Sequence, residues 1–223
     1  MSQAATNTRR RSRARPAQRR GRRVPGRASL RRRRAALVVA MLVGLSAIVL
    51  VAARDSVEEA VRSITLPLKH QDIIRQQAAD KNLDPALIAA VIYQESKFED
   101  RTSHAGAKGL MQLLPSTAHY IARKSGGTAF ESGDLATPRI NIAYGSWYLR
   151  YLLDHYGGNE RLAIAAYNAG ETNVDRWVRS AGGPQGFQTD EIPFPETRTY
   201  VTNVEQRKGQ YRDKYASELG IGN

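Results

Sequence analysis

Asp84-Pro85-Ala86-Leu87-Ile88-Ala89-Ala90-Val91-Ile92-Tyr93-Gln94-Glu95-Ser96 is the stretch whose reading decides the fold. Aspartate followed by proline is an N-cap with proline at the first helical position, so a helix starts here and runs to about residue 96. Leu87, Ile88, Val91 and Ile92 share one face, and Glu95 follows three and four residues after the last two. The spacing places Glu95 at the C-terminal end of an apolar stripe. Desolvation and the negative end of the helix dipole would both raise its pKa there. A surface carboxylate at a fraying helix end, or one paired with Lys97, fits position alone equally well.

Outward from this helix the pattern stays helical, with no convincing alternating strand. Ile73, Ile74 and Ala78 recur on a helix over 69–81. Ser116 opens another, with Ala118, Ile121 and Ala122 inward. Thr137-Pro138 repeats the cap-plus-proline device and starts the longest helix, to about Tyr156. Gly157-Gly158 ends it, Asn159 caps the next to about Asn168, and Gly170 stops that one. A last helix follows Pro195 to about Glu218. About seven helices joined by short loops make a compact all-α or α+β domain over 69–223, with mainly α as the expected class. The longest irregular stretch, 180–194, contains Gly182-Gly183-Pro184-Gln185-Gly186 and suits either a site rim or a plain surface connection.

Charge is unevenly distributed. The net charge is +13, yet residues 1–34 hold 14 Arg and no acid, while the other 20 Lys and Arg nearly balance 21 Asp and Glu. The globular part is close to neutral, so the basicity does not point to a nucleic-acid-binding domain. Residues 35–53 carry no charge over 19 positions, about 28 Å as a helix and close to a bilayer's hydrocarbon thickness. Arg31 to Arg34 precede them directly. The positive-inside rule puts the Arg-rich end in the cytoplasm and everything after residue 54 outside. A cleaved signal peptide is the alternative; the length of the apolar run and of the charged lead favours a retained anchor. The tail 1–34 is expected to be disordered, to fix topology and to lie against anionic lipid headgroups. Residues 54–68 serve as a juxtamembrane linker.

The chain has no cysteine, which excludes disulfides, thiol catalysis and Cys-ligated metal. His70, His104, His119 and His155 show no ligand spacing and no neighbouring cluster of acids in sequence. Neither a metal nor a cofactor is expected.

Two later segments bear on Glu95. Gly106-Ala107-Lys108-Gly109-Leu110-Met111-Gln112 is glycine-rich, letting backbone approach a ligand, and Gln112 offers a donor and an acceptor. A tight helix–helix contact explains the glycines as well. Ala166-Tyr167-Asn168-Ala169-Gly170 ends an apolar helix with a ring face for sugar packing and an amide for directed hydrogen bonds; helix termination alone also accounts for it. A carboxyl that holds its proton near neutrality and can later act as a base is what glycosidic bond cleavage needs.

Glu95-Ser96, the segment 106–115 through Leu113-Leu114-Pro115, 166–170, and Ile192-Pro193-Phe194-Pro195-Glu196-Thr197-Arg198-Thr199-Tyr200-Val201 stand in an order and at intervals that resemble the lytic transglycosylases of the soluble, goose-lysozyme-like family. The resemblance covers roughly 70–215 and implies a lysozyme-like fold acting on peptidoglycan. It implies Glu95 as the sole acid/base, protonating the oxygen between N-acetylmuramic acid and N-acetylglucosamine. The muramyl C6 hydroxyl would then attack C1 and leave a 1,6-anhydro end. It further implies Ser103 near the acetamido group, Met111 and Gln112 in the cleft, Tyr167 and Asn168 in its wall, and Tyr200 near the acid. Relatives often carry a Glu two residues before the Ile-Pro pair, where this chain has Asp190 with Glu191 beside it. A muramidase that hydrolyses the same bond, or a non-catalytic wall-binding protein, would use the same scaffold.

Overall fold

The computed structural model describes residue 41, residues 44–46, 48–49, 66–127, 129–184 and 187–222. It divides the chain into a unit Met1–Val57 and a unit Glu58–Asn223. Of the first, the described residues are helical, and Met41, Leu45, Ile48 and Val49 are exposed. The tail 1–34 and most of the segments 35–53 and 54–68 lie outside the described residues. Among those described, no helix is long and apolar enough to cross a membrane.

The second unit is built from α1 (Gln71–Lys81), α2 (Pro85–Ser96), α3 (Pro115–Ser125), α4 (Pro138–His155), α5 (Glu160–Ala169), α6 (Glu171–Ser180) and α7 (Pro195–Lys214), with 3-10 turns at Ser132–Ala136 and Thr189–Glu191. The described residues contain two isolated β-bridges, Thr102 with Lys108 and Lys108 with Leu113, and no longer strand. Mainly α is therefore the fold class observed.

α2 is the central element. Asp84 caps it by accepting from the Ala86 N–H at 2.9 Å. Every residue from Ala86 to Tyr93 is buried. A helix apolar on all sides has to be surrounded, and α2 packs on α7 along its length and on α1. Asp84 also meets Arg212 at 3.0 Å and Lys208 at 3.3 Å, tying the start of α2 to the end of α7. α4 packs on α1, α3 and α5, and a smaller cluster of Leu113, Ala118, Ile121 and Leu135 lies under the aromatic side chains of α4.

Some boundaries differ from the sequence reading. α3 begins at Pro115 with Leu114 as its cap, so Ser116 lies within its first turn. Thr137 occupies the cap of α4 without a side-chain cap bond. α7 ends at Lys214, and turns follow. α6 was not anticipated at all. Gly170, at φ 84° and ψ 142°, terminates α5 and is at once the N-cap of α6. Val174, Trp177 and Val178 are buried at helical spacing there, a signal hidden by reading glycine only as a stop. Leu66, at the expected linker's end, is buried at 1% exposure, and the Tyr215 hydroxyl donates to its carbonyl at 2.7 Å.

Candidate active site

The last turn of α2 carries Glu95 to the floor of a cleft of about 410 Å³. Protein surrounds most of the carboxyl, one face remaining open to the cleft. Burial pushes its pKa up to about 7, against the opposing pull of the Tyr200 hydrogen bond and the nearby Arg101 charge. The Tyr200 hydroxyl donates to Glu95 Oε1 at 2.6 Å. Tyr200 is itself buried, and desolvation beside Glu95 holds its phenol well above the ordinary range, so it stays a donor. Among the described residues lining the cleft, Glu95 is the one carboxylate.

The segment 101–113 forms the facing wall. Its backbone closes on itself, with Lys108 and Leu113 exchanging both N–H···O bonds at 2.9 and 3.0 Å and the Gly109 N–H donating to the Arg101 carbonyl. Ser103 lines the cleft while its Oγ accepts from the Ala107 N–H at 3.0 Å. Gln112 lines the cleft at φ 46°, a left-handed conformation uncommon for a side-chain-bearing residue. Its amide NH₂ donates to the carbonyls of Arg101 (2.8 Å) and Gly109 (2.7 Å), which offsets that strain and fixes its orientation.

Four interactions hold the motif segments against one another. The Ser96 hydroxyl donates to the Leu110 carbonyl at 2.7 Å, locking α2 to the 109–112 turn. The Tyr167 hydroxyl donates to the Met111 carbonyl at 3.0 Å, joining α5 to the same turn. On α7, Thr197 and Tyr200 are three residues apart and face the site together. Thr197 donates to Asn168 Oδ1 at 2.8 Å, as Tyr200 does to Glu95.

Glu95, Ser103, Gln112, Tyr167 and Asn168 thus converge on one cleft. Met111 does not present a side chain to it: the thioether is fully buried under Gly145 of α4, where an added Cβ would meet Sδ at 2.3 Å. Met111 belongs to the site through its backbone, and its expected place in the cleft is corrected accordingly. Tyr200 lies behind Glu95, outside the cleft lining. Asp190 and Glu191 are exposed and line no part of the cleft; the Glu191 carboxylate accepts from the Gln188 N–H.

Sequence reasoning missed Asn141. Fully buried on α4, it accepts from the Met111 N–H at 2.7 Å and donates to the carbonyls of Lys108 (2.9 Å) and Leu135 (3.0 Å). It sits at helical spacing with buried Gly145 and Leu149, and a polar residue on a buried stripe is the signal that would have found it. Tyr148, which lines the cleft beside Tyr167 with ring centroids 5.6 Å apart, was missed too.

Residues 72–188, just over half of the chain, match the family described as Transglycosylase SLT domain. The chain is 34% identical over 150 residues to the soluble lytic murein transglycosylase of Escherichia coli K12, covering 66% of this chain and 23% of that relative. It is 32% identical over 170 residues to the membrane-bound lytic murein transglycosylase C of Cronobacter sakazakii, covering 66% and 47%. Among solved structures it is similar to the lytic transglycosylase Slt of Pseudomonas aeruginosa, solved as an inactive mutant, at 35% identity and a TM-score of 0.62 over 69% of this chain and 25% of that one. The chain spans about a quarter of the length of the soluble relatives it matches. The acid at the end of the buried helix and the segments 106–115 and 166–170 lie within residues 72–188, and the chain belongs to the transglycosylase SLT domain family.

Proposed function

We propose that this chain is a membrane-anchored lytic transglycosylase that cleaves the bond between N-acetylmuramic acid and N-acetylglucosamine in peptidoglycan and leaves 1,6-anhydro ends. The observation that carries the reading is Glu95, a cleft carboxyl whose pKa burial raises to about 7 and whose Oε1 accepts from the Tyr200 hydroxyl. A group poised there gives up a proton and takes one back within the same pH range. Protonated Glu95 donates to the bridging oxygen as the C1–O bond breaks. The substrate's own acetamido group stabilises C1, near Ser103. The C6 hydroxyl then attacks C1, and its proton returns to the Glu95 carboxylate, so no water is consumed. One lining carboxylate fits a route in which the substrate supplies its own nucleophile. Gln112 and Asn168 direct hydroxyl and acetamido groups, the rings of Tyr167 and Tyr148 supply apolar faces, and Tyr200 positions the acid.

Residues 35–53 serve as the anchor, with the Arg-rich tail cytoplasmic against anionic lipid and the domain from about 69 outside the membrane, on the side where peptidoglycan lies. The charge asymmetry supports this topology, as does the similarity to a relative named as membrane-bound.

Mass spectrometry of fragments released from purified sacculi tests the chemistry. Anhydro-muramyl ends, one water lighter than hydrolysed ends, are expected from the wild-type chain, and Glu95→Gln should release at least about 100-fold less. Hydrolysed ends would assign a muramidase, and binding without release a wall-binding protein. Membrane fractionation of the intact chain tests the anchor, which predicts sedimentation that high salt does not reverse.

A further inference from the structure

A second group of polar side chains lies away from the cleft, where the C-terminal end of α4 meets the first turns of α6. Glu171 and Asp175 are four residues apart on α6 and project from the same face. Opposite them stands His155, the last residue of α4. His155 Nε2 lies 3.0 Å from Asp175 Oδ1, and Nδ1 lies 3.8 Å from Glu171 Oε1. One nitrogen of the imidazole and one oxygen from each carboxylate all fall within 4.8 Å of one another. We propose that His155, Glu171 and Asp175 form a binding site for a divalent cation of the zinc class.

Several independent features favour a cation over a simple clasp between two helices. Zinc takes nitrogen and oxygen ligands at about 2.0–2.2 Å, so tetrahedral ligand atoms lie roughly 3.3–3.6 Å apart. Asp175 Oδ1, 3.0 Å from Nε2, already approaches that spacing, while Glu171 Oε1 faces the other ring nitrogen and would reach Nε2's side by rotation of its side chain, the three ligand atoms lying within 4.8 Å of one another. Two carboxylates face one imidazole, and among the described residues neither makes an ion pair with a Lys or Arg. The two carboxylates give the site net negative charge; the negative end of the α4 dipole adds to it and the positive end of α6, at Glu171, opposes it. The carboxylates are also oriented from outside. Tyr151 donates to Glu171 Oε1 at 3.3 Å, and Tyr156 donates to Asp175 Oδ1 at 3.0 Å. Hydrogen bonds of this kind align ligating carboxylates around a metal. Finally, a cavity of about 400 Å³ lined by His155, Tyr156, Asp175 and Arg179 adjoins the cluster, with room for the water that would complete the coordination. Imidazole with two carboxylates suits zinc better than calcium or magnesium, which prefer all-oxygen shells.

The site is reached from the cleft through stacked rings. Tyr151 stacks on His155 at 6.2 Å and on Tyr148 at 6.1 Å, and Tyr148 lines the cleft. Metal binding stands independently of glycan cleavage.

Isothermal titration of ZnCl2 into the full chain, free of any engineered histidine tag, purified in detergent and stripped with chelator, tests the proposal. One zinc per chain is expected. His155→Gln and Asp175→Asn should each weaken binding at least 100-fold, and Tyr156→Phe, which keeps the ring and removes the hydroxyl, about tenfold. His104→Gln and His119→Gln should bind as the wild type does. In parallel, zinc should raise the thermal midpoint of the wild-type chain in a concentration-dependent way and leave that of His155→Gln unmoved. The proposal is overturned if the wild-type chain takes up no stoichiometric zinc, if His155→Gln binds it equally well, or if the wild-type midpoint is the same with and without zinc.

Discussion

On the proposed mechanism, a single carboxyl with its proton held near neutrality sets the chemistry of this domain. If Glu95 acts first as an acid, as proposed, it must be protonated, and kcat/KM should be flat below about pH 6 and fall roughly tenfold per unit above pH 7. Tyr200 opposes the rise in the Glu95 pKa through its hydrogen bond to the ionised form. Tyr200→Phe should therefore move the alkaline limb upward while preserving the buried ring, a shift visible in the pH profile of fragment release. The same carboxyl shapes stability. Its folded pKa of about 7 lies above the ordinary value of 4.5, so across that window the folded chain keeps a proton that the unfolded chain releases. Stability then falls as pH rises, by up to roughly 3 kcal/mol, with the full loss present above pH 7. Glu95→Gln should be more stable than the wild type at pH 8 and about equal at pH 4, measured by urea unfolding at both.

At the scale of elements, the site is a turn clamped between helices. Asn141 of α4 fastens the 108–113 turn through three buried hydrogen bonds. Asn141→Ala would leave the Met111 N–H and two carbonyls without their partner, at about 1 kcal/mol each, so a loss of roughly 3 kcal/mol is expected. Because Gln112 and Leu113 of that turn line the cleft, KM should rise more than kcat falls. Gly145 tests the same contact from the helix side. Alanine favours an exposed helix interior by up to about 1 kcal/mol, but here its Cβ would lie 2.3 Å from Met111 Sδ, and overpacking of this kind costs roughly 1–3 kcal/mol. Gly145→Ala should lower the thermal midpoint despite its better helix propensity.

Across the whole molecule, the domain takes in residues before its first helix. Leu66 is buried, and the Tyr211 and Tyr215 hydroxyls donate to the Pro67 and Leu66 carbonyls at 2.6 and 2.7 Å. A chain beginning at residue 69 loses this apolar contact and both acceptors. It should be less stable by about 3 kcal/mol than one beginning at residue 58, as compared by thermal unfolding.

Local sequence settled the helices whose signals are local. Asp84-Pro85, Asn159 and the apolar run 86–93 specify start, cap and burial within a few residues, so the α2 acid was legible as a candidate. The segments around 109–112, 166–170 and 192–201 were legible as a set, through their order. What the tertiary structure decided was which of these residues touch. Thr197 on Asn168, Tyr200 on Glu95 and Tyr167 on the Met111 carbonyl join positions 29 to 105 residues apart. Met111 moved from the cleft into the core because α4 offers a glycine opposite it. His155 met Glu171 and Asp175 only because the corner at Gly170 brings the first turns of α6 to the end of α4. Propensity and capping act over a few residues and are written in the chain. Desolvation of a carboxyl and convergence of side chains depend on packing between distant segments, which folding alone supplies.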